Sequence, residues 1–425
     1  MRLAALAFLP VVAVAVIWRR TVLRKATVVA VTGSVGKTTA KECLVAILRQ
    51  SRPVTALPGA SNGRFGLPLL LLRGRPRDKI VVAEVGILKK GRMWRSAFLL
   101  KPDVAVITRV NWQHAVNFQS LEEIAEQKAK ILDPLGPKGL AILNADDEHV
   151  AAMAQGRNCR VQTFGLDPGA DVAGEVAESR WPDRFAVTVR ANGESHQLQT
   201  RLVGAHWAPS VLAAVTAARA LGASWHDCAA GLLSVEPYPA RLNSIKLPNG
   251  ADMLRDEYNG SFATLEMALE IVAQARCQRR VIAIGNILDA PQFENSVAEE
   301  AAKRCAAVGD LLLFWGRVAD RYRAAALEAG TPAENIFVFQ TQVEMAHFIR
   351  RETKTGDLIL LKGYWFDHMS RIAFAQFGNV ACELEKCLKH SVCDRCTKLE
   401  FRPDAHVEPA LVEPLLAGQA RIAAP

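Results

Sequence analysis

The chain has 425 residues, half of them hydrophobic and 22% charged, which is too long for a single hydrophobic core and too apolar for a disordered polymer. Its formal net charge is +9, yet it has no long Lys/Arg tract and no basic strand interleaved with aromatics, so a nucleic-acid partner is not expected. Anionic phosphates or a membrane surface account for the charge instead.

Residues 1–25 open with Leu3 to Trp18, LAALAFLPVVAVAVIW, which is uncharged and followed by Arg19, Arg20, Arg24 and Lys25. This segment reads as an N-terminal membrane helix, somewhat short of the about 20 residues that span the hydrocarbon and with Pro10 inside it. A secretory signal carries its charge before the apolar run, whereas here most of it follows. The rest of the chain is therefore expected at the cytoplasmic face of a bacterial inner membrane. A buried N-terminal helix is the alternative.

Next comes VVAVTGSVGKTTAKECL, an apolar β-branched strand running through a glycine loop into a helical pattern. The loop Gly33-Ser34-Val35-Gly36-Lys37-Thr38-Thr39 is two residues shorter between its glycines than the standard phosphate loop, G-x-x-x-x-G-K-[ST]. Backbone N–H groups in such a turn, with the positive end of the following helix, offer donors to phosphate oxygens. Lys37 would add a point charge and Thr38 a hydroxyl for Mg²⁺, which prefers oxygen ligands. An ordinary strand-to-helix turn with a solvated lysine is the plainer reading.

From Ala26 to about Gly139, strands ATVVAVTG, KIVVAEVG and DVAVITRV alternate with helical stretches, which predicts a parallel sheet with helices on its faces. Ser120 and Glu123 have capping-box spacing at the start of one helix. Residues 160–204 predict a β-rich extension of the same domain, and APSVLAAVTAARALG a helix. SVEPYPARL, with two prolines, reads as a linker, after which RRVIAIGNI, DLLLFWGRV, NIFVFQTQ and DLILLKGYW predict a second α/β domain. The expected organisation is 1–25 as anchor, 26–240 as a central phosphate-loop domain, 241–378 as a Rossmann-like α/β domain and 379–425 as a cysteine-containing tail.

Several polar residues fall where an α/β sheet places its ligands, at or beyond the carboxyl ends of strands: Glu84 in VVAEVG, His114 in RVNWQHAVNF, Lys128 in AEQKAKIL and Asn62 in ASNGRFGLPL. Singly, each has a dull reading, a solvated loop histidine or an exposed helix face. In this order and spacing they resemble the Mur ligase family. TGSVGKTT is similar to its shortened phosphate loop, NGRFGLPLLLL to its asparagine-glycine-proline segment, and AVITRVNWQHAVNFQSLEEIAEQKAKIL to its histidine-to-lysine stretch. YPARL, RDEYNGS and GDLILLKG resemble its junction and carboxyl-terminal motifs, and the resemblance runs over roughly residues 26–375.

The resemblance implies an ATP-dependent ligase that forms an amide between a carboxylate and an amine through an acyl phosphate. Lys37 and Thr38 would hold ATP and a first Mg²⁺, with Glu84 as a further ligand of that ion and Asn62 in the nucleotide site. His114 would bind a second Mg²⁺, Lys128 matches the lysine that the family carbamylates, Arg241 would contact the γ-phosphate and Asp256 the ribose. GAHWAPS carries Trp207 and Ser210 where the family has adenine-contacting asparagines, leaving stacking on Trp207 as a substitute. The family's UDP-sugar-binding domain is expected to be absent, with the anchor running almost directly into the phosphate-loop strand. The implied substrates are a carboxylate-bearing envelope or polysaccharide-linked precursor and an amine or amino acid. A folylpolyglutamate-synthase-like or poly-glutamate ligase is the second reading, and a degenerate nucleotide-binding scaffold the third.

Finally, CELEKCLKHSVCDRC crowds Cys382, Cys387, Cys393 and Cys396 together. Cys393 and Cys396 have the C-x₂-C spacing that lets two thiolates reach one ion, so a structural Zn²⁺ or iron–sulfur site is expected there. Unligated thiols on an amphipathic helix are the alternative.

Overall fold

The computed structural model describes residues 8–59, 65–87, 90–111, 118–177, 179–287, 294–382, 387, 393–396 and 398–420. The chain divides into two compact units, one of residues 1–179, 184–201 and 205–235, the other of 180–183, 202–204 and 236–425.

In the first unit, strands β1 (Thr27–Thr32), β2 (Val54–Ala56), β3 (Ile80–Glu84), β4 (Val104–Ile107), β5 (Leu140–Asn144), β6 (Arg160–Gly165), β7 (Val172–Val176), β8 (Ala186–Ala191) and β9 (Glu194–Gln199) form one sheet in the order β2-β3-β1-β4-β5-β6-β7-β8-β9. Pairing is parallel from β2 to β7 and antiparallel across β8 and β9, which is the β-rich extension that the sequence predicted. The central strands are apolar at nearly every position because both faces of a parallel sheet are covered. Val28, Ala30, Val81, Ala83, Ala105 and Ile107 share one core, under helices α1 (Phe8–Thr21), α3 (Gly66–Arg73), α4 (Met93–Leu100) and α5 (Leu121–Ala129). The other face is served by α2 (Lys37–Leu48), which packs on β1, β2 and β3, and α6 (Ala208–Ala220), which packs on β4 to β7.

Helix α1 corrects the sequence expectation. It has 14 residues, and no helix among the described residues is long and apolar enough to cross a membrane. It lies instead on the first unit, with Ala15 and Leu23 in the core and Val12, Val16 and Trp18 packed against it. The Trp18 indole donates to the Gly74 carbonyl at 2.9 Å. Arg19, expected to flank a membrane, is 5% exposed and donates to the carbonyls of Leu100, Leu23 and Lys101 and to Asp103 at 2.8 to 3.2 Å. A buried guanidinium needs acceptors for its five N–H donors, and these oxygens, from Leu23 nearby and from residues 100–103 far along the chain, supply them. The helix is packed along one side only, so it is not the fully buried helix of the alternative reading either.

In the second unit, β10 (Asn243–Lys246), β11 (Asp252–Asp256), β12 (Arg279–Ile284), β13 (Leu311–Trp315), β14 (Ile336–Phe339) and β15 (Asp357–Lys362) are ordered β10-β11-β15-β12-β13-β14, parallel except for β10. This is the expected second α/β sheet. The chain beyond 378 is joined to it: β16 (Gly378–Val380) pairs with β17 (Phe401–Pro403), and Leu399, Val407, Val412 and Leu415 enter the core of Val281, Leu313 and Ile359. Arg255, 1% exposed, binds both oxygens of Asp394 at 2.7 and 2.9 Å and also Glu257, locking the cysteine-bearing segment to β11.

Candidate nucleotide site

The phosphate loop joins β1 to α2, and two glycines are required by its geometry. Gly36 has φ of 83°, where a side chain is strained, and a Cβ on it would strike the Ser210 hydroxyl of α6. A Cβ on Gly33 would strike the Thr108 hydroxyl. Helix α2 carries no side-chain cap at its N-terminus, the arrangement that suits an anion. The loop is braced from the segment after β4: Thr108 donates to the Val35 carbonyl at 2.6 Å, Ser34 N–H to the Arg109 carbonyl at 2.6 Å, and Asn111 N–H to the Ser34 hydroxyl at 3.0 Å. Asn144 holds the Thr108 carbonyl at 2.8 Å in turn. Val35 is exposed at the loop tip, while Lys37 and Thr38 are buried and Thr39 half-buried. The Lys37 ammonium donates to the carbonyls of Gly33 and Ser34 at 2.8 and 2.9 Å, curled over its own loop.

Glu84 ends β3 directly beside Val31 of β1, two residues before Gly33, and is 4% exposed. Lys128, in the last turn of α5, is 2% exposed and not the solvated helix face of the plainer reading. Burial, and next the positive charge of Lys37, push its ammonium well below the ordinary lysine range. Lys128 thus lies within electrostatic reach of Lys37 at the phosphate loop. Its helix starts as the sequence predicted, with the Ser120 hydroxyl accepting from Glu123 N–H at 3.2 Å, although the Glu123 carboxylate returns to Gln119 N–H. His114 and Asn62 lie outside the described residues.

The second unit carries Arg241 and Asp256. The Arg241 guanidinium lies 4.4 Å from the centre of the Tyr258 ring and 5.9 Å from that of Tyr238, a cation held on aromatic faces. Its Nε is buried with no hydrogen-bond partner among the described residues, and the residues flanking it, Ala240 and Leu242, have φ of 61° and 50°. Asp256 closes β11 opposite Lys362, whose ammonium lies 2.5 Å from Oδ2, and Oδ1 accepts from Leu242 N–H at 3.2 Å. The sequence reading passed over Lys362, although a lysine ending the apolar strand DLILLK was a visible signal. It also missed Thr108 and Asn111, which only the loop geometry identifies.

The four cysteines of the tail do meet at one small cavity, lined with them by His368, Arg371 and Leu399. All four are free thiols, and among the described residues no three His, Cys, Asp or Glu side chains are arranged to hold a metal ion. The Cys393 sulfur faces His368 Nδ1 at 3.5 Å, and burial pushes its thiol up to about 12. The zinc or iron–sulfur expectation gains no support: the segment is held by the Arg255–Asp394 pair and apolar packing instead.

Residues 31–218 match the Mur ligase middle domain. The UDP-N-acetylmuramoyl-tripeptide–D-alanyl-D-alanine ligase of Bacillus subtilis is 27% identical over 342 residues, covering 79% of this chain and 72% of that protein. The enzyme of the same name from Mycobacterium tuberculosis (strain ATCC 25618 / H37Rv) is 28% identical over 378 residues, covering 84% and 74%. Among solved structures, MurF from Acinetobacter baumannii superposes with a TM-score of 0.77 at 26% identity, over 86% of this chain and 79% of that one. With the phosphate loop, the buried glutamate and the buried lysine all in place, residues 31–218 form a Mur ligase middle domain, and the chain is similar to Mur ligases over most of its length.

Proposed function

We propose that this Mur-type ligase uses ATP to join a carboxylate-bearing envelope precursor to an amine, through an acyl phosphate, at the cytoplasmic side of the bacterial plasma membrane. A carboxylate oxygen attacks the γ-phosphorus, and the bond to the β-phosphate oxygen breaks to release ADP. The amine nitrogen then attacks the acyl carbon, loses a proton and expels phosphate. The relatives' names point to a muramoyl tripeptide and D-alanyl-D-alanine as the closest substrate pair. The residues present fit a magnesium nucleotide: two glycines in the loop where a Cβ would strike the Thr108 or Ser210 hydroxyl, a threonine hydroxyl in the first turn of α2, and a buried carboxylate at the end of β3. Mg²⁺ would neutralise phosphate charge there, held by Thr38 and Glu84, with His114 as a further ligand by resemblance. The loop N–H groups and Lys37 orient the phosphates, and the Arg241 cation, also by resemblance, is assigned to the γ-phosphate. Asp256 is assigned to the ribose through the lone pairs that Lys362 and Leu242 leave.

The observation that carries this reading is Lys128. Burial, and next the positive charge of Lys37, drive this lysine towards its neutral amine, the form that adds carbon dioxide. The resulting carbamate is an anionic oxygen donor, which turns the amine beside the phosphate loop into a metal ligand. A scaffold has no use for such a group. The test is phosphate release by the full chain across a panel of carboxylates and amines, comparing the parent with Lys128→Ala. Loss of turnover with partial rescue by short carboxylates is expected; an unchanged rate and Mg²⁺ dependence in Lys128→Ala would remove the assignment.

A further inference from the structure

Helix α1 is apolar on both sides, and among the described residues only one side is packed. The residues that face outward are Leu9, Pro10, Val11, Ala13, Val14 and Ile17, with no polar side chain on that face before Thr21. Leu9, Val14 and Ile17 are 63%, 51% and 61% exposed. A helix that has already docked its other face gains nothing in water from this composition. The neighbouring α4, which packs on α1, extends the patch with Trp94 and Phe98, one turn apart and 51% and 59% exposed.

Guanidinium groups sit at the aromatic edge of this patch. Arg20 donates to the Phe98 carbonyl at 2.7 Å with its guanidinium 5.8 Å from the Phe98 ring centre, and the Arg95 guanidinium lies 5.7 Å from that of Trp94. Arg24, Lys25, Arg73 and Arg92 are exposed on the same elements or directly beside them. Across residues 8–25, 65–79 and 90–101 the single acidic side chain is Asp78, which is held by Thr55 and by Arg75 N–H.

We propose that this face docks peripherally on an anionic bilayer, with α1 lying in the interface while its inner side stays fixed to the first unit. The apolar residues would enter the acyl boundary, Trp94 and Phe98 would sit at headgroup level, and the arginines and lysines would meet lipid phosphates. A second copy of the chain could also cover the apolar residues, but it would bring two cationic rims together, whereas lipid phosphate neutralises the rim. The inference deepens the location proposed above and does not depend on the nucleotide assignment, because its test reads lipid binding rather than turnover.

The experiment is flotation of the full chain with phosphatidylcholine vesicles, with and without phosphatidylglycerol, at low and high salt. Binding to the anionic vesicles that weakens as salt rises is expected. Val14→Glu with Ile17→Glu, and separately Trp94→Ala with Phe98→Ala, should each lower partitioning roughly tenfold or more. All four side chains are exposed, so the variants should fold, and their turnover in solution should match the parent. Three outcomes would overturn the proposal: no flotation with anionic vesicles, partitioning that ignores both double variants, or a parent dimer that Val14→Glu with Ile17→Glu dissociates without any lipid binding.

Discussion

Lys128 in the first unit and Lys362 in the second are both almost wholly buried, and they are buried in opposite ways. Lys362 has a carboxylate oxygen of Asp256 at 2.5 Å, the Asn259 carbonyl at 2.6 Å and the Thr264 hydroxyl at 3.1 Å, three directions for the three donors of an ammonium. Lys128 has no such set among the described residues, and besides burial the positive charge of Lys37 acts on it. Burial pulls the Lys362 ammonium down as well, but the Asp256 carboxylate opposes that pull and the pair joins two strands. Burial, and next the like charge of Lys37, disfavour the charged form of Lys128, at a cost to the fold. The contrast separates a lysine paired within the fold from one left without such partners, the position where a chemical role is proposed.

Removing each lysine tests the contrast most directly, and the larger effect belongs to Lys362. Lys362→Met would leave Asp256 buried without its counter-ion and should cost about 3–5 kcal/mol. Urea unfolding of the full chain measures this, and a loss under about 1 kcal/mol would break the comparison. Next in size, Lys37→Ala should lower ATP-dependent phosphate release by about 10²–10³-fold with an unchanged circular dichroism spectrum. A parent-like rate would show that the phosphate loop is not the nucleotide site.

Lys128→Met should have the opposite sign to Lys362→Met. It abolishes turnover yet raises stability by about 1–3 kcal/mol at neutral pH in carbon dioxide-free buffer, because an uncompensated amine leaves the interior. The folded value of Lys128 is depressed, so the unfolded chain keeps a proton up to about 10.5 that the folded chain has already shed. Stability from this group therefore rises as pH climbs from the depressed folded value towards 10.5, and Lys128→Met should flatten that rise. A destabilised Lys128→Met would mean that the lysine has a structural partner after all. The smallest effect is expected at the start of the helix that presents Lys128: Ser120→Ala removes one cap hydrogen bond, worth about 1 kcal/mol by thermal unfolding.

The elements that carry the site were largely legible because their signals are local. A β-branched run, a glycine pair, a lysine-threonine pair and a capping serine each act within a few residues, so Thr27–Thr32, the loop and Lys37–Leu48 could be placed from spacing alone. Lys128 was legible only by resemblance. Its composition suggested a solvated helix face, and burial is decided by which residues distant in the chain pack over it.

What the sequence by itself determined is the alternation of strands and helices in both units, the glycine turn that an anion can enter, and the helix start at Ser120, all consequences of backbone geometry and short-range hydrogen bonding. What only the tertiary structure decided is where charge and apolar surface end up. Arg19 caps carbonyls some eighty residues away, so an apolar run that looked membrane-spanning became a helix laid on the first unit. Asp394 reaches back to Arg255, so the cysteine-rich tail is tied into a core by a partner far away in the chain. Partners at such separations leave no trace in local pattern, because the energy of burying an ionised group depends on acceptors that the fold alone brings within reach.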